Sequence, residues 1–171
     1  DVERTTLENA GSLISGNSAT LGGGIYADKA LKLYGGTLTD NVASDKGGAI
    51  FVATGSKVEI FGGEIYGNWN GNENVDYAGI FVAGATKTNS FGNIEAVESN
   101  SLSVYNAANI SDRVFLSTKA VINVKDKYIS SKHSKIYIVM EEELGDNAQI
   151  KVATFANADF AGAGKFDSDT I

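Results

Sequence analysis

Three short blocks recur in a fixed order along this chain. "GSLISGN" (11–17) aligns position by position with "GGTLTDN" (35–41) and "GGEIYGN" (62–68). The step from Asn17 to Asn41 is 24 residues, and from Asn41 to Asn68 it is 27. A second block, "GGGIYA" (22–27), "GGAIFVA" (47–53) and "YAGIFVA" (77–83), recurs in step with the first. A third, "LKLYGG" (31–36) and "VEIFGG" (58–63), returns more weakly as "LSVYNA" (102–107). A fixed period of this size is the mark of a repeat architecture, in which no unit buries its apolar face alone and stacking supplies the core.

The blocks are five to seven residues long, rich in β-branched and aromatic residues, and punctuated by Gly-Gly or Asn. That is strand-and-turn chemistry, too short and too Gly-broken for helices. In "LKLY" and "VEIF" apolar and charged residues alternate, so Leu31, Leu33, Val58 and Ile60 are predicted to face inward and Lys32 and Glu59 to face water. Each period then holds three short strands and three turns, stacked coil on coil at about 4.8 Å. Stacking places like residues over one another. The predicted ladders are Ile14/Leu38/Ile65 and Ile25/Ile50/Ile80 in the core, with Asn17/Asn41/Asn68 at a turn where Asn tolerates left-handed backbone. The expected fold is all-β: a right-handed parallel β-helix (solenoid) with three strands per coil, the hand taken from the chirality of parallel crossovers. A propeller blade needs about 40–45 residues, and a sandwich shows no constant period.

Past residue 116 the pattern changes. "AVINV" (120–124), "SKIYIVM" (134–140) and "AQIKVATF" (148–155) read as strands without Gly-Gly punctuation, the last two joined at Gly145-Asp146-Asn147. Residues 1–116 are therefore expected to be β-helix coils. Residues 117–171 would be final coils and a β-rich C-terminal cap, which a solenoid needs over its open end. The tail from residue 157 is expected to lie over the surface.

The pattern from Gly35 to Asn68 resembles the "GGTIsGNtA…GGGIYV" repeats of large β-helical surface proteins of bacteria. More distantly, it is similar to the "GGAI" repeats of polymorphic outer-membrane autotransporters. The resemblance covers about residues 7–116, and "ISDRVFLSTKAVINV" (110–124) is similar to the stretch that closes such arrays. It implies extracellular or cell-surface display and an adhesin-like or structural use, and it is nearly silent on chemistry.

Composition narrows the function classes. With Cys 0 there is neither a disulfide frame nor thiol chemistry, and with His 1 there is no histidine metal cluster. A net charge of −7 argues against a nucleic-acid partner. No apolar run approaches the roughly 20 residues of a membrane span, so no membrane insertion of this segment is expected. The polar opening Asp1-Val2-Glu3-Arg4 reads as a piece of a longer protein or a processed product.

Candidate site residues fall in two places. "NWNGNENVDY" (68–77) reads as the inserted loop of the third period, and it alternates Asn70, Asn72, Asn74 and Asp76, as short calcium loops place hard oxygen ligands. The closing bidentate Glu of such loops is missing, and a solvated Asn/Gly turn explains the same residues. Trp69 and Tyr77 bracket the loop, and either a sugar-stacking platform or a cap on the core edge accounts for the Trp. The second place is the lane Tyr26/Phe51/Phe81, which alternates with the Ile lane. It forms either an outward aromatic strip for a partner or glycan, or a packed stack. The lane Tyr34/Phe61/Tyr105 poses the same choice.

β-Helices also host polysaccharide lyases and glycosidases, which need clustered carboxylates. Here the repeat-aligned acids, Asp40 and Glu64, stand alone, and Asp28, Asp45 and Lys46 sit at different offsets of linking turns. No catalytic residue is assigned. His133 and Glu141-Glu142-Glu143 read as solvated turn and strand-end residues, and Asn109-Ile110-Ser111 is a weak glycosylation sequon. The expected partners are an extracellular glycan or a host or neighbouring surface protein, with no cofactor beyond the calcium option. A non-enzymatic surface segment is the leading reading, and a carbohydrate-binding or polysaccharide-degrading β-helix is the alternative.

Overall fold

A computed structural model describes residues 6–7, 11–71, 78–125, 136–140 and 153–155. These are strands and turns without helix. The repeat blocks become parallel strands stacked one coil above the next. On one wall Ala30–Leu33 pairs with Lys57–Tyr66, which pairs with Ser99–Ile110 and then Ala120–Val124. After a Gly-Gly bend the same wall continues with Leu13–Ser15 on Thr37–Thr39 on residues 64–66. A second wall stacks Ser18–Leu21, Val42–Lys46 and Trp69–Asn70. A third stacks Ile25–Ala27, Ile50–Val52, Ala78–Val82, Arg113–Leu116 and Ile138–Met140.

The registers are those the repeats predict: Ile14↔Leu38↔Ile65 and Ile25↔Ile50↔Ile80. Leu31, Leu33, Val58 and Ile60 are buried in one core with Ile50, Ile80, Leu102 and Val104. Burying each such side chain stabilises by about 1.5–3 kcal/mol. At the Gly-Gly corner the coils approach so closely that no side chain fits. A Cβ on Gly48 would lie 2.4 Å from the Trp69 carbonyl oxygen, and one on Gly23 2.5 Å from that of Gly48.

Three expectations are corrected. Glu59 does not face open water. It lies on the outer face but is 7% exposed, held by Lys32 Nζ at 3.4 Å, Lys57 Nζ at 3.8 Å and the Tyr105 hydroxyl, which donates at 3.2 Å. Nor is the loop after Asn68 the sole insertion. Val52 and Val82 are register partners, as are Val58 and Leu102, yet the first link spans 6 positions and the second 20. The extra chain folds as an antiparallel hairpin of Ala85–Thr88 with Ile94–Val97. Asn89 Oδ1 accepts from the N–H groups of Phe91 and Asn93 at its tip, and Phe91 is 87% exposed. Finally, three strands per coil fails at the fourth coil. Only Ser111 and Asp112 separate Ser99–Ile110 from Arg113–Leu116, so among the described residues the second wall ends at Trp69–Asn70.

The strands Ala120–Val124, Ile138–Met140 and Ala153–Phe155 extend the first and third walls in parallel register. The turn expected at 145–147, His133, Glu141–Glu143 and the tail from 157 lie outside the described residues.

Candidate functional site

The corner between the first and second walls is a polar column. Its turn needs one left-handed residue per coil, supplied by Gly16 (φ 69), Asp40 (φ 55) and Gly67 (φ 65). Glycine adopts this conformation freely, and Asp is among the few others that do. The turn aims the next residue, Asn17, Asn41 or Asn68, along the stack. Asn17 Nδ2 donates to Asn41 Oδ1 at 2.9 Å, and Asn41 Nδ2 to Asn68 Oδ1 at 2.9 Å. Each acceptor oxygen also takes the backbone N–H of the rung before it, at 3.2 and 3.1 Å. Asn41 and Asn68 are fully buried, and their amides return to the carbonyls of Ile14, Thr39, Leu38 and Tyr66.

Asp112 is the fourth rung, which the sequence reading missed. Its Oδ2 accepts from Asn68 Nδ2 at 2.8 Å and from Asn68 N at 3.0 Å. Burial pushes its carboxyl above the usual carboxylate range, while hydrogen bonds from the Asn68 side chain and from the Asn68 and Gly67 backbone pull the other way. Gly79 makes room for it: a Cβ there would lie 2.2 Å from Asp112 Cβ.

The aromatic lane stands outside the core. Tyr26, Phe51 and Phe81 stack with centroids 5.3 Å apart, and Phe115 adds a further ring at 5.4 Å. Exposure falls along it, from 52% at Tyr26 to 4% at Phe81, where Lys46 Nζ sits 4.7 Å from the ring centroid. The strip is thus both outward and packed: Phe81 is buried, Phe51 and Phe115 are half-buried, and Tyr26 presents the open face. Tyr34, Phe61 and Tyr105 form a second stack at 4.7 and 4.1 Å.

Trp69 is 52% exposed at the edge of the second wall. Asn70 Nδ2 donates to the Asp45 carbonyl, which ties this calcium candidate to the preceding coil. Its companions Asn72, Asn74 and Asp76, and the aromatic Tyr77, lie outside the described residues. Among the described residues no group of three or more His, Asp or Glu side chains lies together as a metal site. Of the linking-turn residues Asp28, Asp45 and Lys46, the last places its Nζ 4.7 Å from the Phe81 ring centroid.

No curated protein and no solved structure matches the chain. A family model described as the Chlamydia polymorphic membrane protein (Chlamydia_PMP) repeat matches residues 11–28 and 35–53. These spans hold the first two asparagine rungs with the Gly-Gly corners and Ile rungs that follow them, so the first two coils of the chain are similar to the repeat of the Chlamydia polymorphic membrane proteins.

Proposed function

We propose that this chain is a right-handed parallel β-helical segment of a bacterial surface protein, displayed outside the cell as a stiff, adhesin-like spacer. The column from Asn17 to Asp112 carries this reading: it ties four successive coils by side-chain hydrogen bonds in addition to their backbone pairing. Coils locked in this way resist bending and splaying, as a rod that presents a surface away from a cell must. Likeness of the first two coils to a membrane-protein repeat supports display at the surface, as does a chain with Cys 0 and a net charge of −7.

The reading is non-enzymatic, with contacts to host or neighbouring surface proteins made along the outer walls. Display is tested by labelling intact and permeabilised cells with antibody against the coils, and by scoring attachment to surfaces after their deletion. Label on intact cells with attachment lost supports the proposal. Label only after permeabilisation overturns it. Incubation with acidic and neutral polysaccharides supplies a separate check, since any shortening of the polymer would replace the spacer reading with a degradative enzyme.

A further inference from the structure

Among the described residues the second wall stops at Trp69–Asn70 while the walls on either side continue, and the turn from Tyr66 to Trp69 forms the corner that leads into it. Tyr66 and Trp69 flank it, 44% and 52% exposed. Asn68 between them is turned wholly into the polar column, so the column itself fixes these two aromatics on the outside. Gly67, also between them, has no side chain. A Cβ placed there would first meet Thr39 Oγ1 at 3.3 Å and Asp40 Oδ1 at 3.8 Å, so a hydroxyl and a carboxylate of the preceding coil line the gap. Thr39 is the register partner of Tyr66, and Val42 that of Trp69. No hydrogen bond, ion pair or ring contact among the described residues engages the Asp40 carboxylate, the Tyr66 hydroxyl or the Trp69 indole.

We infer that this corner, made by Tyr66, Gly67 and Trp69 with Asp40 and Thr39 beneath, is a binding subsite for a neutral, hexose-containing glycan. The chemistry matches a pyranose ring. An aromatic face takes the apolar C–H side of the sugar, and its rigid body loses little entropy in doing so. A carboxylate accepts hydrogen bonds from sugar hydroxyls, and such charge-assisted bonds are the stronger kind. The glycine gap lets the ring approach the backbone. Charge sets the class: Asp40 and a net charge of −7 repel uronic-acid and sulfated chains. The site depends on surface display only for where the glycan is met, and purified protein tests it without that reading.

Trp69 is the sole tryptophan, so its emission reports the site directly. The chain is titrated with methyl glycosides of glucose, galactose and mannose, with N-acetylglucosamine, and with their β-linked dimers. Sugars run to about 50 mM, past the millimolar range of a weak subsite. Polygalacturonate is the charged control. At least one neutral sugar is expected to shift the emission saturably, with polygalacturonate inert. Tyr66→Ala should weaken that binding about tenfold and Asp40→Asn about fivefold. Asn adopts left-handed backbone readily, so the second variant keeps the turn, and an unchanged melting temperature confirms it. Silence from every neutral sugar overturns the inference. So does unaltered binding in both variants, or a preference for polygalacturonate.

Discussion

Asn68 gives both its backbone N–H and its side-chain amide to one oxygen of Asp112, at 3.0 and 2.8 Å. Every rung before it donates in the same direction, from Asn17 toward Asp112. An ionised carboxylate only accepts. It therefore ends a one-way chain of donors at the coil where the second wall also ends. Aligned amides polarise one another, so the column is worth more than its separate bonds.

Truncating the middle of the column should cost far more than truncating its start. Asn41→Ala leaves Asn68 Oδ1, two carbonyls and the donors of Asn17 short of partners in buried or half-buried surroundings. At about 1–3 kcal/mol for each buried group left unsatisfied, the expected loss is about 3–5 kcal/mol. Asn17 is exposed and heads the chain, so Asn17→Ala should cost about 1 kcal/mol. Denaturant unfolding of the two variants measures the gap, and equal losses would mean the column does not act as a unit.

Asp112 gives the column a pH dependence with a defined sign. Its carboxyl in the folded chain titrates above its ordinary 3.8, burial being the main cause. The folded state thus holds this proton more tightly than the unfolded one, so the group's contribution is fullest below its unfolded value and falls as pH rises through the folded one. Asp112→Asn keeps an oxygen acceptor for Asn68 and removes the titration. Melting from pH 3 to 7 should show the variant gaining on the parent as pH rises, and parallel curves would refute the assignment.

Most of the fold was legible because stacking turns sequence period into spatial register, so aligned blocks such as Ile25, Ile50 and Ile80 became literal neighbours. Asp112 escaped because the fourth coil deletes the left-handed residue of the turn. Ile110 aligns with Ile65, but the rung comes two residues later rather than three. The hairpin escaped because its alternation, "ATKT" and "IEAV", lacks the Gly-Gly punctuation that marks the coils. Trp69 was legible as an aromatic, but the sequence did not show that the Asp40 carboxylate and the Thr39 hydroxyl lie beside Gly67, two residues before it, because only the coil-to-coil register brings them there.

Glycine substitutions separate crowding from backbone strain. Gly55 has φ 78 and open space around its missing Cβ. Gly55→Ala should cost about 1–2 kcal/mol, the penalty of left-handed backbone. Gly48 instead faces the Trp69 backbone at 2.4–2.7 Å. Gly48→Ala forces two coils apart and should cost about 3 kcal/mol or more, beyond the usual range of overpacking, because backbone rather than a side chain must yield. Thermal melts rank the two, and an order in which Gly55→Ala is worse would overturn the close-approach account.

Ile50 and Phe51 are neighbours that point to opposite sides of the third wall, and each lane makes its own prediction. Ile50 is fully buried between Ile25 and Ile80. Ile50→Asp drives an unpaired charge into a core shared by adjacent coils and should abolish cooperative unfolding. On the outer lane exposure grades the cost: Phe81, 4% exposed between two rings, should lose about 3–5 kcal/mol on change to Ala. Tyr26, 52% exposed with one ring neighbour, should lose about 1 kcal/mol on the same change. Circular dichroism melts of the three variants test both lanes together. A wild-type melt for Ile50→Asp would invert the assignment of the wall, and equal losses at Phe81 and Tyr26 would show that the outer stack is not graded by burial.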